Sequence, residues 1–439
     1  MVRTFKRGGV HPPEHKQLTE RKPIETLPLP KRVVIPMAQC LGAPAEPTVK
    51  PKDAVKAGQR IGEPKGFVST PVHASISGTV KKVDLYPTAV GARILSVEIE
   101  SDGKDEWVEG IDLESREVDF TRPDDFLPAL TDAGLVGMGG AAFPTHVKLK
   151  PPKDVKVDTL ILNGAECEPY LTADHRLMLE RAPEIALGLQ ILMAVLKVDR
   201  AYVGIEDNKP DAAATMRQAL AGTLGVEVAV CRTRYPQGAE KQLIKSLTGR
   251  EVPPGKLPMH VGCVVQNVGT AFAAFEAVAR HKPLVERVLT VSGRAIREPK
   301  NLRVRIGTPL SDLVAFCGGA ADDLRKLIFG GPMMGKALRF EDVPIVKSTS
   351  GILFFDREEA AAVREFPCIR CGRCVAACPQ GLVPCDLGDQ AEHGQYAGFA
   401  DALDCVECGS CQFTCPAHRR LVHLLRLGKS EFRRLQKKG

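Results

Sequence analysis

The chain has 439 residues, of which 44% are hydrophobic, and its 60 Lys and Arg against 53 Asp and Glu give a formal net charge of +7. This length predicts about three domains, and the modest charge argues against a nucleic-acid-binding protein. The polar, basic N-terminus lacks the apolar stretch of a signal peptide, and the longest strongly apolar run, 185–196, is too short to span a bilayer. We therefore expect a soluble protein, or one that reaches a membrane only through its surface or its partners.

The first 118 residues predict an extended segment and then a small β module. Residues 1–30 are rich in proline and basic side chains, and short strand-like runs bounded by Gly and Pro follow from residue 31. The stretches 53–59 and 73–80 resemble a biotinyl- or lipoyl-type barrel-sandwich module, which we place at 31–118. Its hairpin tip, 74–77, contains no lysine, so we expect an unmodified copy of that fold and not a swinging arm.

Residues 119–283 alternate between strands and helices. The predicted strands are 157–162, 201–205, 226–230 and 261–266, and the predicted helices are 176–197, 210–224, 239–247 and 270–280. Buried apolar strands separated by helices of this length predict a mainly parallel, layered α/β domain.

The remaining residues predict a second β region, a cysteine-rich region and a basic tail. Residues 284–345 contain two strand patterns and a tight Gly-Pro-Met-Met loop at 330–335, residues 346–417 contain the cysteine motifs, and 418–439 form the tail. The basic residues of the tail are Arg419, Arg420, Arg426, Lys429, Arg433, Arg434, Lys437 and Lys438, and one helical face would carry Leu421, Leu424, Leu425, Phe432 and Leu435. The tail is either a solvated terminal helix or a contact for anionic lipid or an acidic partner.

Two cysteine motifs share the spacing C-x2-C-x2-C-x3-C-P, which is typical of paired 4Fe-4S clusters. In such pairs three close thiolates hold one cluster and the fourth holds the other. The predicted ligand sets are Cys368, Cys371, Cys374 and Cys415 for cluster one, and Cys405, Cys408, Cys411 and Cys378 for cluster two. Zinc is the alternative, but zinc sites usually pair two C-x2-C hooks and need no fourth Cys-Pro.

The other six of the 14 cysteines are scattered. They are Cys40, Cys167, Cys231, Cys263, Cys317 and Cys385. Scattered cysteines in a long chain indicate buried free thiols and a reducing compartment. We expect Cys385, which lies outside both motifs, to be structural.

A glycine-rich stretch at 134–145 is the second strong signal, since glycines allow backbone N–H groups to approach a phosphate. Lys148 follows at a spacing suited to neutralising that phosphate. The stretch matches neither the Rossmann fingerprint nor a Walker A motif, and a hinge or turn cluster is the alternative. The segment 163–169 comes directly after the first clear strand, where ligand crevices form in such sheets; its two carboxylates could accept hydrogen bonds from a ribose, or cap a helix.

The chain resembles the C subunits of Rnf electron-transport complexes, which are similar to the flavin-bearing, NADH-oxidising subunit of respiratory complex I. The resemblance spans nearly the whole chain. It includes the segments 8–12, 137–148, 163–169, 204–208, 235–240 and 266–270 and both cysteine motifs. The chain departs from the complex I pattern at Met138, Ala165, Ala239 and Gln266.

The resemblance implies a multidomain α/β fold: a barrel-sandwich N-terminal module, a layered α/β domain that binds FMN and NAD(H), a β-grasp (SLBB-type) domain and a helical ferredoxin domain with two 4Fe-4S clusters. It also implies the cofactor-binding residues. They are Gly137, Gly139 and Gly140 against the flavin and its phosphate, Phe143 near the nicotinamide or adenine, Lys148 on the flavin side chain or phosphate, Asn163 and Glu166 along the flavin, Glu168 towards the nicotinamide ribose, and Gly238, Glu240, Asn267 and Thr270 closing the pocket.

The implied function is NAD(H)-linked electron transfer within a membrane-bound, ion-translocating ferredoxin:NAD oxidoreductase of the Rnf type. NADH gives two electrons as a hydride whereas a cluster takes one, so a flavin must stand between them, and no catalytic side chain is required. The implied partners are the other Rnf subunits, NADH or NAD+ and, indirectly, ferredoxin, at the cytoplasmic face of the inner membrane. The alternatives are a flavin and iron–sulfur cobalamin reductase, which lacks the long N-terminal module, and a non-catalytic electron-wiring subunit.

Overall fold

The structure is a computed structural model that describes residues 2–89, 91–338, 342–361 and 363–437. Lys438 of the predicted basic tail lies outside these ranges. The N-terminal segment is extended, as predicted, and connects three parts of the molecule. Val10 forms a bridge with Tyr235 of the α/β domain, Gly9 N–H donates to Ala377 O beside the cysteine motifs, and strand β1 (Ile24–Thr26) joins a distant sheet.

The barrel-sandwich module follows as two small sheets. Its strands are β2 (Arg32–Pro36), β3 (Glu46–Pro47), β4 (Ala54–Val55), β5 (Arg60–Glu63), β6 (Val72–His73), β7 (Gly78–Pro87) and β8 (Arg93–Ser101), in the orders β2-β8-β7-β4 and β3-β5-β6. Val33, Ile35 and Ile61 lie in the core between them. The hairpin tip is buried, because Ser75 Oγ donates to Ile306 O at 2.5 Å and Arg305 donates to Ser75 O at 3.0 Å. This tip is therefore an internal contact.

The α/β domain contains a four-stranded parallel sheet in the order β11-β10-β9-β12. Its elements are α1 (Phe126–Asp132), α2 (Thr145–Lys148), β9 (Thr159–Gly164), α3 (Ala173–Glu180), α4 (Ala182–Leu196), β10 (Ala201–Glu206), α5 (Pro210–Ala219), β11 (Val226–Cys231), α6 (Glu240–Thr248), β12 (Cys263–Asn267) and α7 (Val268–Ala279). The single helix expected over 176–197 is two helices, since Pro183 lies in the first turn of α4 and cannot continue α3.

The β-grasp domain has a six-stranded sheet in the order β1-β14-β13-β17-β15-β16. Its further elements are β13 (Glu286–Ser292), β14 (Lys300–Arg305), α8 (Leu310–Phe316), β15 (Lys326–Phe329), β16 (Lys336–Leu338) and β17 (Gly351–Phe355). Two strands come from outside the predicted range 284–345. The N-terminal segment supplies β1, which pairs with β14, and β17 lies in the middle of the sheet between β13 and β15.

The cysteine-rich region is helical, as predicted. It contains α9 (Arg373–Ala377), α10 (Pro384–Glu392), α11 (Ser410–Phe413) and α12 (Leu421–Gln436). Of the predicted apolar face of the tail, Leu421, Leu424, Leu425 and Phe432 are buried against this region, while Leu435 is 43% exposed. The helix therefore packs its apolar face on its own domain. Within the described ranges, no helix has the length and apolarity needed to cross a membrane.

Candidate functional site

The eight motif cysteines form two groups, and each group surrounds a small cavity. Cys368, Cys371, Cys374 and Cys415 line one cavity, which we call the cluster-one site. Cys378, Cys405, Cys408 and Cys411 line the other, which we call the cluster-two site. These sets are the predicted ones, including the exchange of the fourth cysteine between the motifs.

The backbone around the two sites has matching geometry. Arg370 and Glu407 occupy the same place in each motif, and both have a positive φ, of 52° and 57°. Their N–H groups therefore point back to the first cysteine sulfur of their motif, at 3.4 and 3.3 Å. The four sulfurs of each site and these N–H donors fit an iron–sulfur cluster.

The two sites differ in their surroundings. Cys371 is exposed, and its neighbour Ile369 is 67% exposed, so the cluster-one site faces solvent. The cluster-two site packs against the α/β domain, where Tyr235 Oη donates to Cys408 O at 2.7 Å and Gln242 Nε2 donates to Pro379 O at 3.4 Å. Hence hydrogen bonds join the cluster-two site to the α/β domain.

The carboxyl ends of β9 and β12 lie side by side at one edge of the sheet, which we call the crevice. The chain leaves β9 towards β10 and β11 on one side and returns to β12 on the other, so the strand order reverses between these neighbours. Ligands of open parallel sheets bind at such a switch point. Asn163 and Asn267 are register partners at this edge, and α7 begins directly after Asn267, which caps it by accepting from Gly269 N–H at 2.8 Å. The edge thus combines amide side chains with the positive end of a helix.

The glycine-rich stretch forms a tight loop over this crevice. Gly137 N–H donates to Phe143 O at 2.8 Å, and Met138 N–H donates to Thr270 Oγ1 at 2.9 Å, which attaches the loop to α7. Gly139 and Gly140 are exposed, and Gly140 has a φ of 112°, which favours glycine. The loop therefore presents bare backbone to a ligand.

Gln266 gives a test of whether this crevice fits a flavin nucleotide. It is 2% exposed, and neither its amide nitrogen nor its amide oxygen finds a partner among the described residues. Buried amides are rarely left without partners, so this one suits a ligand with donors and acceptors along its edge. Together with the bare loop and the helix end, the residues fit FMN.

Two other predicted pocket residues already contact each other. Lys148 Nζ forms an ion pair with Glu240, at the start of α6, and also donates to Val265 O at 3.2 Å. Asn163 Nδ2 donates to Gly238 O at 2.8 Å. The residues predicted from four separate segments, around Lys148, Asn163, Gly238 and Asn267, are therefore adjacent in space.

Glu166 and Glu168 both accept hydrogen bonds from backbone N–H groups elsewhere in the chain. The Glu166 carboxylate accepts from Asp174 N–H at 2.7 Å and His175 N–H at 3.1 Å, so it caps α3. The Glu168 carboxylate accepts from Met333 N–H at 3.0 Å and Met334 N–H at 2.9 Å, in the Gly-Pro-Met-Met loop. Burial raises the pKa of Glu168 to about 7.

Sequence reasoning missed the side chains that connect the domains. Lys16 Nζ donates to Glu166 O at 2.9 Å and Glu168 O at 3.0 Å, and so holds the segment after β9 from the N-terminal side. Arg287, from β13, donates to Met138 O at 2.7 Å in the glycine-rich loop. The Tyr-Pro pair at 235–236 was recognised as a shared motif, but nothing in its pattern indicated a contact with the cluster-two site.

Four family models match the chain in order. They are the RnfC barrel sandwich hybrid domain at residues 4–104, the Nuo51 FMN-binding domain at 130–276, the SLBB domain at 288–337 and the 4Fe-4S dicluster domain at 367–418. The multidomain fold and the cofactors FMN and 4Fe-4S expected from the resemblance are confirmed by these matches.

Characterised relatives match over almost the full length. The C subunit of the proton-translocating ferredoxin:NAD(+) oxidoreductase complex of Clostridium ljungdahlii is 51% identical over 99% of this chain and 95% of that protein. The C subunit of the Na(+)-translocating ferredoxin:NAD(+) oxidoreductase complex of Acetobacterium woodii is 46% identical over 99% of this chain and 98% of that protein. The structure of an NAD+-reducing nickel–iron hydrogenase in the air-oxidized state aligns with a TM-score of 0.47 and 24% identity, over 64% of this chain and 54% of that one. Because the chain is 51% and 46% identical to these two C subunits over 99% of its length, it belongs to the family of Rnf C subunits.

Proposed function

We propose that this chain is the NAD(H)-linked electron-transfer subunit of a membrane-bound, ion-translocating ferredoxin:NAD oxidoreductase of the Rnf type. The observation that carries the proposal is the hydrogen bond from Tyr235 to Cys408, which joins a flavin-binding domain directly to one of two four-cysteine sites. An FMN domain and a dicluster domain on one chain provide a two-electron entry and a one-electron exit. The partners are the other members of the complex.

FMN, when bound, supplies the exchange between hydride transfer and single-electron transfer. The protein's part is to bind and orient. In this proposal the exposed backbone of Gly139 and Gly140 and the N-terminus of α7 hold the phosphate, since both present N–H groups. Lys148 adds a positive charge, and Asn163, Gln266 and Asn267 supply amide groups along the flavin. Phe143, Gly137, Gly238, Glu240 and Thr270 complete the walls.

The hydrogen bonds of the Glu166 and Glu168 carboxylates support a positioning role for each of these residues. The ribose contact of Glu168 and the flavin contact of Glu166 stay predictions, but each carboxylate is already hydrogen-bonded to two backbone N–H groups. We infer that Glu166 fixes the crevice edge through α3. Glu168 fixes the loop at 330–335, whose Met333 carbonyl lies against Gly409 of the cluster-two motif.

The surroundings of the clusters support an order of carriers. Cluster two is packed on the α/β domain, and cluster one is at the solvent side. The cysteines of the cluster-two site would thus hold the carrier next to the flavin-binding domain, and those of the cluster-one site would hold the carrier that exchanges electrons with the next protein of the complex. The direction depends on the relative potentials of ferredoxin and NAD+ in the cell.

The proposed domain boundaries follow the sequence with two adjustments. The segments are 1–30, 31–118, 119–283 and a β-grasp domain from 284, which we extend from 345 to about 356 because β17 lies within its sheet. The dicluster domain and the basic tail, 418–439, form one unit, since α12 packs on it. We place the chain at the cytoplasmic face of the inner membrane, with Arg433 and Lys437 of α12 towards anionic lipid or an acidic partner.

The family matches do not favour the alternative of a cobalamin reductase. That class lacks a long N-terminal module, whereas the barrel-sandwich model matches residues 4–104. A non-catalytic wiring subunit would need no nucleotide crevice.

Anaerobic titration of the purified chain with NADH tests the proposal, followed by visible absorbance and electron paramagnetic resonance. We expect flavin bleaching followed by reduced-cluster signals. Clusters present without flavin, and without any response to NADH, would refute it. A Cys371→Ser variant is the control, since it should lose about half of the iron and keep flavin reduction by NADH.

A further inference from the structure

Cys385 lies outside both cysteine motifs, yet its side chain lines the cluster-one site. It shares that cavity with Cys368, Cys371, Cys374 and Cys415. It lies in the first turn of α10, directly after Pro384. The cluster-one site therefore has five thiols for a cluster that needs four.

The internal repeat supplies a direct comparison. A constant shift of 37 residues maps the four cysteines of the first motif onto those of the second, and it maps Cys385 onto Val422. Val422 is the second residue of α12, as Cys385 is of α10, and Val422 lines the cluster-two site. The two cavities thus differ at one matched position by a thiol against an isopropyl group.

The contacts of these two residues also differ. The thiol and the backbone N–H of Cys385 lie beside the sulfur of Cys374 in the cluster-one site. Val422 has no thiol, and its N–H donates instead to Gln412 Oε1 at 3.1 Å. The N–H groups of Val375 and Gln412 lie at matched places beside Cys374 and Cys411. A thiol therefore stands beside cluster one where an isopropyl group stands beside cluster two.

We propose that Cys385 is a non-ligating residue that raises the reduction potential of cluster one relative to cluster two. An added electron increases the negative charge on the ligand sulfurs, so donors to those sulfurs stabilise the reduced cluster. Solvent at Cys371 acts in the same direction. Two clusters with equivalent motifs would therefore have different reduction potentials, and a single electron shared between them would reside mainly on cluster one. The inference rests on the proposed ligand sets.

Redox titration of the anaerobically purified full chain, monitored by electron paramagnetic resonance, tests this inference with three variants. Cys385→Val should shift the midpoint of one cluster to a more negative value with unchanged iron content. Cys385→Ser, which keeps a donor, should shift it less. Val422→Cys should raise the midpoint of the other cluster. Loss of one signal in Cys371→Ser identifies which signal belongs to cluster one.

Unchanged midpoints in both Cys385→Val and Val422→Cys, with iron retained, would overturn the inference and leave the ligand sets standing. Loss of about half of the iron in Cys385→Val would also overturn it, because Cys385 would then be a ligand and the proposed set for cluster one would be wrong. If replacing Cys385 prevents folding, Val422→Cys still tests the inference, because it introduces a thiol at the matched position of the cluster-two site.

Discussion

The hydroxyl of Tyr235 donates a 2.7 Å hydrogen bond to the carbonyl oxygen of Cys408. Tyr235 is buried in the α/β domain, and Cys408 is a proposed ligand of cluster two. Val10, Ala377 and Met333 pack around the same contact, so three segments meet there. This junction connects the α/β domain to the cluster-two site through a buried hydrogen bond.

Tyr235→Phe should therefore slow electron transfer from the flavin to cluster two without affecting flavin reduction. The packing remains and one buried hydrogen bond is lost, worth about 0.5–1.5 kcal/mol, so we expect a rate decrease of roughly 2- to 10-fold. Stopped-flow absorbance after mixing with NADH separates the two steps. Tyr202→Phe, in β10 of the same domain, is the matched control; equal rates in both variants would remove Tyr235 from the path.

Much of the candidate site could be predicted because its signals are local. Each cysteine motif is only 11 residues long, as from Cys368 to Cys378, and its spacing predicts the two ligand sets. The crevice residues Asn163 and Asn267 follow predicted strands, and parallel strands place their carboxyl ends at one edge.

The parts that could not be predicted depend on contacts between residues far apart in sequence. Glu168 reaches backbone N–H groups 165 and 166 residues away, and Arg287 reaches a carbonyl 149 residues away. Each side chain satisfies backbone groups of another domain, and no spacing rule reports such pairs. The central position of β17 could not be predicted for the same reason. Its neighbours in the sheet, β13 and β15, both precede it in the chain, and they lie on either side of it only after folding.

The carboxyl group of Glu168 should make the potential of cluster two depend on pH. Burial raises its pKa from the ordinary 4.5 to about 7, and the Tyr235 hydroxyl lies within hydrogen-bond reach. Below this pH Glu168 is neutral, and above it the carboxylate places a negative charge beside the cluster. The midpoint of cluster two should therefore fall as pH rises through about 7, and Glu168→Gln should abolish the slope.

The same redox titration at pH values from about 6 to 8 measures this dependence. Lys16 Nζ donates to the backbone carbonyl of Glu168 at 3.0 Å, a contact that Glu168→Gln leaves in place. Glu358→Gln, with an 80% exposed side chain, is the control. A slope that persists in Glu168→Gln would assign it to another group. The raised pKa also means that the free energy of unfolding falls as pH rises from about 4.5 to about 7, a component that Glu168→Gln should remove.

Lys148 and Glu240 should have opposite effects on FMN affinity. They form an ion pair beside the glycine-rich loop. If Lys148 holds the phosphate, Lys148→Met removes a charge-assisted contact worth about 1.5–3 kcal/mol, which weakens FMN binding by roughly 10- to 100-fold. Glu240→Gln removes a negative charge next to the phosphate and should tighten binding.

Quenching of flavin fluorescence during reconstitution of the apoprotein measures both affinities. Lys153→Met, an exposed lysine further along the chain, controls for net charge. Weaker binding in Glu240→Gln would mean that this carboxylate contacts the flavin directly, as the family resemblance implies.

Arg287 should hold the glycine-rich loop in the conformation that binds FMN. The guanidinium is 3% exposed and connects two loops, since Nε donates to Thr349 O at 2.8 Å and Nη2 to Met138 O at 2.7 Å. Burial lowers its pKa to about 10, so it stays charged at neutral pH. In Arg287→Met the Met138 carbonyl loses its partner, at a cost of about 1–3 kcal/mol.

We expect Arg287→Met to weaken FMN binding by roughly 10-fold while both clusters are retained, because the loop that cradles the phosphate is no longer fixed from the β-grasp side. Arg287→Lys should recover little, since one ammonium cannot replace two donors set by a planar group. Arg294→Met, at an exposed arginine just beyond β13, should bind FMN normally. If the flavin affinity of Arg287→Met equals that of Arg294→Met, the loop holds its shape without the arginine.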